Sequence, residues 1–314
     1  MIYQHIYKVI RKLNFSIVTA CLNRADFIEI AIQSVMDQNY QPFEHIIVDG
    51  GSTDGTLEIL KRYPHLRVIS EPDQGVYDAM NKGIRMAKGE IIGLLNSDDY
   101  YEKECFAYAA HAFINDPTIN AVAGCARVLK QVNNQGVEEV QVHSSSMLLN
   151  PIHAATFGVP IPNAWFLRKD VFKKLGGFGL RYRLVADRDF LIRFYQAGFI
   201  FFTSEKVFYN YIQHANSLTI SDSRISRLER LKEKVLLAQN HMSDSQKGIR
   251  NQFNQWYIYL IGEIIKTAWR LGDRKTIIFY FKQLVKKNPL WVFPLFLTNL
   301  YEVKRIPSLR RGNS

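Results

Sequence analysis

Two neighbouring carboxylates, Asp98 and Asp99, follow the apolar run Ile91-Ile92-Gly93-Leu94-Leu95 with only Asn96 and Ser97 between. Adjacent acids at a strand terminus make a site for a hard divalent cation such as Mg2+ or Mn2+, which takes oxygen ligands and often shares them with substrate phosphates. Asn-Ser-Asp-Asp also suits a turn or a helix cap, so the tetrapeptide alone does not choose. A second polar stretch, VDGGSTDGT, carries Asp49 and three glycines that let the backbone turn tightly or approach a ligand. It matches neither the GxxxxGK[ST] phosphate loop nor the GxGxxG dinucleotide fingerprint. By itself it reads as a strand-to-helix connection with Ser52, Thr53 or Asp54 as cap. A third acidic pair, Asp187 and Asp189, opens an apolar-periodic stretch where acids favour a helix N-terminus.

The elements needed to position these groups are legible. Phe15 to Ala20 reads as a buried strand, and residues 26–38 place Phe27, Ile28, Ala31, Ile32 and Val35 at helical spacing. A strand from His45, a helix from Thr56, a strand from Leu66, a helix from Tyr77 and a strand from Glu90 complete a β-α-β-α-β-α-β order. Such alternation predicts an α/β fold with a mostly parallel sheet flanked by helices, and ligands beyond the carboxyl ends of its strands. Asn23-Arg24, Asp49 to Asp54, Glu71 to Gly75 and Asn96 to Asp99 all fall there, so four polar loops are expected to converge on one edge.

The 314 residues, 47% of them hydrophobic, are enough for one large globular domain with an appendage. Three scattered cysteines indicate neither a disulfide framework nor a zinc cluster, and a reducing cytoplasm is the expected setting. The N-terminal stretch does not read as a cleaved signal peptide. The longest apolar-aromatic run, Pro289 to Tyr301, is too short to span a bilayer and contains two prolines. Net charge is +11, yet residues 1–220 hold 22 basic and 22 acidic side chains, against 18 and 7 in residues 221–314. A domain of residues 1–220 followed by a basic, aromatic helical extension of residues 221–314 is therefore expected.

TACLNR, VDGGSTDGT, SEPDQGVYDAMNKG and LLNSDD, in that order and spacing, resemble the nucleotide-sugar motifs of inverting family 2 glycosyltransferases of the GT-A, Rossmann-like fold. The likeness is strongest to bacterial enzymes of O-antigen and exopolysaccharide synthesis, of the colanic-acid type, and covers about residues 14–220. It implies a hexosyltransferase in which Asp98 and Asp99 hold Mg2+ or Mn2+ and Asp98 meets the donor diphosphate. Asn96 departs from the pattern, standing where many members have a further acid. The resemblance further implies that Thr19, Ala20, Asn23, Arg24, Asp49, Asp78 and Lys82 enclose the nucleotide sugar, with an ordinary exposed helix carboxylate as the competing expectation for Asp78. Gly50 stands where relatives carry an acid that often contacts uracil; UDP is the first choice of donor, with dTDP and GDP open.

The same resemblance makes Asp187 the general base that deprotonates the acceptor hydroxyl, and gives Asp189, Asn163 and Trp165 acceptor contacts. For Trp165 a buried aromatic is the competing expectation, for Asp187 helix capping, and for Asp189 a brace on the loop. The implied partners are a nucleotide-sugar donor and a polyprenyl-diphosphate-linked glycan. The basic extension adds an anionic membrane surface at the inner face of the cell membrane, or else packs on the catalytic domain with its charge solvated. Nucleic acid is not an expected partner, since no recognisable module accompanies the charge. A sugar nucleotidyltransferase and a noncatalytic nucleotide- or glycan-binding module are the rival expectations.

Overall fold

A computed structural model describes residues 12–131, 136–145, 151–159, 161–214, 224–244 and 247–287. The apolar run from Pro289 to Tyr301 lies outside them. The chain divides into two compact units, Met1–Ile220 and Ser221–Ser314, each taken here by itself.

The first unit opens with β1 (Phe15–Cys21), α1 (Ile28–Met36), β2 (Phe43–Asp49), α2 (Thr56–Leu60), β3 (Leu66–Ser70), α3 (Val76–Met86) and β4 (Ile91–Asn96). These follow the expected alternation, with helix ends shifted by a few residues. β3, β2, β1 and β4 lie side by side in parallel, Cys21 opposite Asp49 and Ala20 opposite Asn96. Every residue of β1 is buried, as befits a central strand covered on both faces. The second half comprises β5 (Tyr100–Tyr101), α4 (Cys105–Asn115), β6 (Ala121–Gln131), β7 (Val137–His143), α5 (Pro151–Thr156), β8 (Trp165–Arg168), α6 (Lys169–Leu175), α7 (Ala186–Gln196) and β9 (Phe201–Gln213). It extends the same sheet in the order β3-β2-β1-β4-β8-β6-β9-β5, with β7 paired to β6. β8 is antiparallel to both its neighbours, whereas β6 and β9 run parallel.

An aromatic cluster joins the halves. Phe15 stacks on Phe106 at 5.2 Å, and both meet Phe166 edge-on at 5.5 and 5.4 Å. Tyr101 packs on Phe166 at 5.3 Å while its hydroxyl donates to the Leu94 carbonyl at 2.8 Å. Each buried ring contributes about 1.5–3 kcal/mol by leaving water, and favourable ring pairs add about 0.5–1.5 kcal/mol.

The second unit consists of α8 (Arg224–Asp244), α9 (Lys247–Leu271) and α10 (Arg274–Lys287). Its core contains Leu237, Phe253, Trp256, Ile261, Ile264 and Leu284. Tyr257 ties α9 to α10 by donating to the Gln283 side-chain oxygen at 2.8 Å. No described helix is long and apolar enough to cross a membrane.

Gly83 sets how closely α3 lies on β1, because a Cβ there would overlap the Val18 side chain. Alanine usually stabilises a helix interior by about 1 kcal/mol over glycine. Here overpacking should outweigh that gain, so Gly83→Ala should lower unfolding free energy by about 1–2 kcal/mol, read by chemical denaturation.

Candidate active site

The four loops beyond the strand ends do converge, held together by their own polar groups. Asn23, in the left-handed conformation that Asn tolerates, has its N–H bonded to Ser52 Oγ at 2.7 Å and its Oδ1 accepting from the Thr53 N–H at 2.9 Å. The Arg24 and Ala25 N–H groups donate to Thr56 Oγ1 and Asp54 Oδ2 at 2.8 and 3.0 Å. The Arg24 guanidinium reaches across to Asp98, Nε to Oδ2 at 3.7 Å. Asn23, Arg24 and Asp98 thus share one edge.

Asp49 is buried and shapes this edge from beneath. It accepts from the Gly51 and Ser52 N–H groups at 3.0 and 2.9 Å, from the Ser70 hydroxyl at 2.7 Å, and from the Ser52 hydroxyl. Burial would raise its carboxyl, but these hydrogen bonds together bring it below the ordinary value. Thr19 is fully buried, its hydroxyl 3.0 Å from Nε2 of His45; burial, with a smaller contribution from His65, takes that imidazole down to about 3. Ala20 is buried beside it. The Thr19 side chain therefore braces the sheet and does not line the edge, contrary to its expected donor contact.

Next to this edge, Lys82 bonds Glu71 at 2.8 Å and the Pro72 carbonyl at 3.0 Å, and stands 3.5 Å from Asp78. Asp78 accepts the Gln74 N–H at 3.1 Å. The hydrogen bond to Glu71, outweighing some desolvation, raises the Lys82 ammonium above its ordinary value. A Cβ on Gly50 would fall 2.6 Å from Asp73 Oδ2. The carboxylate of Asp73 thus occupies the space an acid at position 50 would enter.

Asp98 and Asp99 part company. Asp98 remains partly exposed and meets Nε2 of His214 at 3.1 Å, while the His214 ring stacks on Phe27 at 4.3 Å. Asp99 is completely buried, accepting from Asn96 Nδ2 at 2.9 Å, the Ile212 N–H at 2.8 Å and the Tyr209 hydroxyl. Burial first, then the negative charge of Asp98, pushes its carboxyl up to about 8 against those three donors. The expected pair of ligands from Asp98 and Asp99 is not formed, because Asp99 faces the core. His214, which the sequence reads either as a residue that could approach phosphate or as a solvated loop residue, stands beside Asp98. Its only signal is a position just after a strand, 116 residues from its partner.

The acceptor-side expectations also divide. Asp187 is half-buried in the first turn of α7, its Oδ1 accepting the Arg188 N–H at 2.7 Å. The helix begins at Ala186, so Asp187 lies inside the first turn and is not its cap. The buried guanidinium of Arg188 donates to the carbonyls of Ala155, Thr156 and Gly158, fastening the end of α5 beside this turn. Burial lowers that guanidinium to about 10, although Asp187 opposes the shift.

Asp189 is only 4% exposed and bonds Arg193 at 2.8 Å; Arg193 in turn holds the Leu175 and Gly177 carbonyls at 2.8 and 2.9 Å. It braces the loop, the second of its two expected roles. Trp165 is 2% exposed, stacked on Phe201 at 5.4 Å, so the core expectation replaces the acceptor platform. Asn163 donates to Asn96 Oδ1 at 3.1 Å and stands 3.3 Å from the Tyr209 hydroxyl, where it orients the β4 terminus.

Asn81, overlooked in the sequence, links the two sides. Its amide donates to the Phe178 carbonyl at 2.9 Å and accepts the Phe178 N–H at 2.8 Å, joining α3 to the loop that leads into α7. Tyr77 adds a ring contact with Phe178 at 5.3 Å.

The family described as Glycosyl transferase family 2 matches residues 16–176. A PGL/p-HBAD biosynthesis glycosyltransferase of Mycobacterium bovis BCG is 35% identical over 185 residues, 57% of this chain and 68% of the relative. Chondroitin synthase of Pasteurella multocida is 28% identical over 216 residues, covering 66% of this chain and 21% of that larger protein. Among solved structures, residues 1–349 of S. aureus TarS in complex with UDP-GlcNAc superpose with a TM-score of 0.60, at 19% identity and covering 88% of this chain and 92% of that one. The mannosyltransferase PcManGT of Pyrobaculum calidifontis, in complex with GDP-Man and Mn2+, gives 0.57 at 17% identity, with 93% and 88% covered. At these identities the structural likeness establishes the fold alone.

The two neighbouring acids should behave oppositely when removed. Asp99→Ala leaves buried donors unpaired and should lower unfolding free energy by about 2–4 kcal/mol. Asp98→Ala should change it by less than about 1 kcal/mol. Chemical denaturation of the two variants side by side checks both.

Proposed function

Because the chain belongs to glycosyl transferase family 2 and has its GT-A type of sheet, we propose that it transfers a sugar from a nucleoside diphosphate donor, UDP foremost, to an acceptor hydroxyl with inversion. The acceptor we assign is a polyprenyl-diphosphate-linked glycan of a bacterial surface polysaccharide, met at the inner face of the cell membrane. Family membership makes the protein a glycosyltransferase and displaces the nucleotidyltransferase and noncatalytic readings.

The observation that carries this reading is the single edge on which Asn23, Arg24, the Asp49 loop and the Asp98–His214 pair meet. The donor's base and ribose lie along the β1, β2 and β3 loops, with Asp73 presenting its carboxylate over Gly50 where the family pattern has an acid at position 50. Its diphosphate lies toward Arg24 and Asp98. Asp187 accepts the proton of the acceptor hydroxyl as that oxygen bonds to the anomeric carbon. The bond from the anomeric carbon to the diphosphate oxygen breaks in the same step, and nucleoside diphosphate leaves with the electron pair.

Asp98 and His214 fit a divalent cation as a carboxylate oxygen and an imidazole nitrogen, a mixed set that suits Mn2+ better than Mg2+. No cluster of three or more His, Cys, Asp or Glu exists among the described residues, so substrate phosphates and water would complete the shell, as is usual for cations shared with nucleotides. When bound, the cation supplies charge neutralisation to the departing diphosphate.

Nucleotide sugars screened with Mg2+ and Mn2+ should include one that raises the thermal midpoint and is slowly hydrolysed to nucleoside diphosphate; pyrophosphate release, or no response to any donor, would overturn the proposal. Asp187→Asn should reduce transfer by about 10²–10⁴-fold while donor binding persists, and full turnover in that variant would remove Asp187 from the base role. His214→Ala and Asp98→Ala should each weaken Mn2+ binding by at least about tenfold, measured by calorimetry in the presence of nucleoside diphosphate.

A further inference from the structure

Three lysines of the second unit share one helix face with exposed apolar residues. Along α10, Lys275, Ile278, Phe279, Lys282, Val285 and Lys286 are all exposed. Their spacing of three, four, seven, ten and eleven residues from Lys275 places them on a single side of the helix. The opposite side presents Tyr280 and Leu284 to the core of the unit, so α10 is already packed and the outward apolar residues are surplus to that packing. Ile278 and Phe279 are 56% and 57% exposed, and Trp269 at the end of α9 is 67% exposed. Between residues 264 and 287 the only acid is Asp273, which caps α10 by accepting the Thr276 N–H at 3.1 Å. α10 itself carries no carboxylate.

We propose that this face of α10, with Trp269, docks on an anionic lipid bilayer. Aliphatic and aromatic side chains alternating with lysines are what a helix lying in a membrane interface requires. The apolar groups enter the acyl boundary by about 5–10 Å while the lysine stems extend their ammonium groups to lipid phosphates. Charge selects an anionic surface. Ile278 and Val285, which cannot stack on bases, favour lipid over a nucleic-acid polyanion. The docking is independent of whether the acceptor is lipid-linked.

The test is flotation of the full chain with vesicles of phosphatidylcholine, with and without phosphatidylglycerol, and with neither donor nor acceptor present, so that transfer activity plays no part. The protein should float with the anionic vesicles and not with phosphatidylcholine alone, and binding should weaken as salt is raised. Ile278→Ser with Phe279→Ser, and separately Lys282→Glu with Lys286→Glu, should each weaken binding by at least about tenfold without shifting the thermal midpoint. Because Trp165 and Trp256 are buried, a Trp291→Phe background reports on Trp269, whose emission should move to shorter wavelength on vesicle addition. Failure of the wild-type chain to bind anionic vesicles would overturn the proposal. So would undiminished binding in both double variants, or an unmoved Trp269 signal.

Discussion

The buried carboxylate of Asp99 is the tie on which the site depends. It sits just past the end of β4, in the parallel half of the sheet, yet its partners Tyr209 and Ile212 belong to β9, the long strand of the other half. A buried carboxylate is tolerable only when its oxygens are hydrogen-bonded, so these donors are as necessary to Asp99 as Asp99 is to them. Two residues beyond Ile212 the chain delivers His214 to Asp98. The position of that imidazole is a consequence of the buried bond and requires no loop rearrangement to create it.

A second tie works between α3 and the loop that leads into α7. Asn81 meets the backbone of Phe178 with both amide atoms, and a Cβ on Gly177 would overlap the Asn81 side-chain oxygen. Arg193 holds the carbonyls of Leu175 and Gly177 from α7 while being neutralised by Asp189. The loop between α6 and α7 is therefore fastened from two helices, which limits how far the turn bearing Asp187 can move relative to α3. On the proposed reading, in which Asp187 takes the acceptor proton, this is the support behind it that precise positioning requires.

The alternating first half was legible in the sequence because buried parallel strands and amphipathic helices have different hydrophobic periods. The edge formed by the polar loops followed from that topology. What periodicity cannot decide is which of two close acids faces the edge. Asp98 and Asp99 are adjacent, and Asp187 and Asp189 lie within one helical turn, yet in each pair one is partly exposed and one is buried, Asp99 against Tyr209 and Ile212 far away in sequence and Asp189 against Arg193 one turn on. Trp165 is a similar case, since an aromatic beside polar residues suits a sugar platform or a core equally, and Phe201 and Phe194 decide for the core. His214 had no local pattern to mark it, because its meaning comes entirely from the return of β9 to the end of β4.

Charge at the edge bears on how it would hold a diphosphate. The cationic groups there are already answered by acids: Lys82 by Glu71 and Asp78, Arg24 by Asp98. Residues 1–220 hold as many acidic as basic side chains, so the net charge of the first unit by itself supplies no general attraction for an anion. A polyanion placed against Asp98 meets repulsion unless a local positive charge intervenes, and a divalent ion held by Asp98 and His214 would supply that charge. On the proposed reading, cation and donor would therefore bind cooperatively, each supplying what the other lacks.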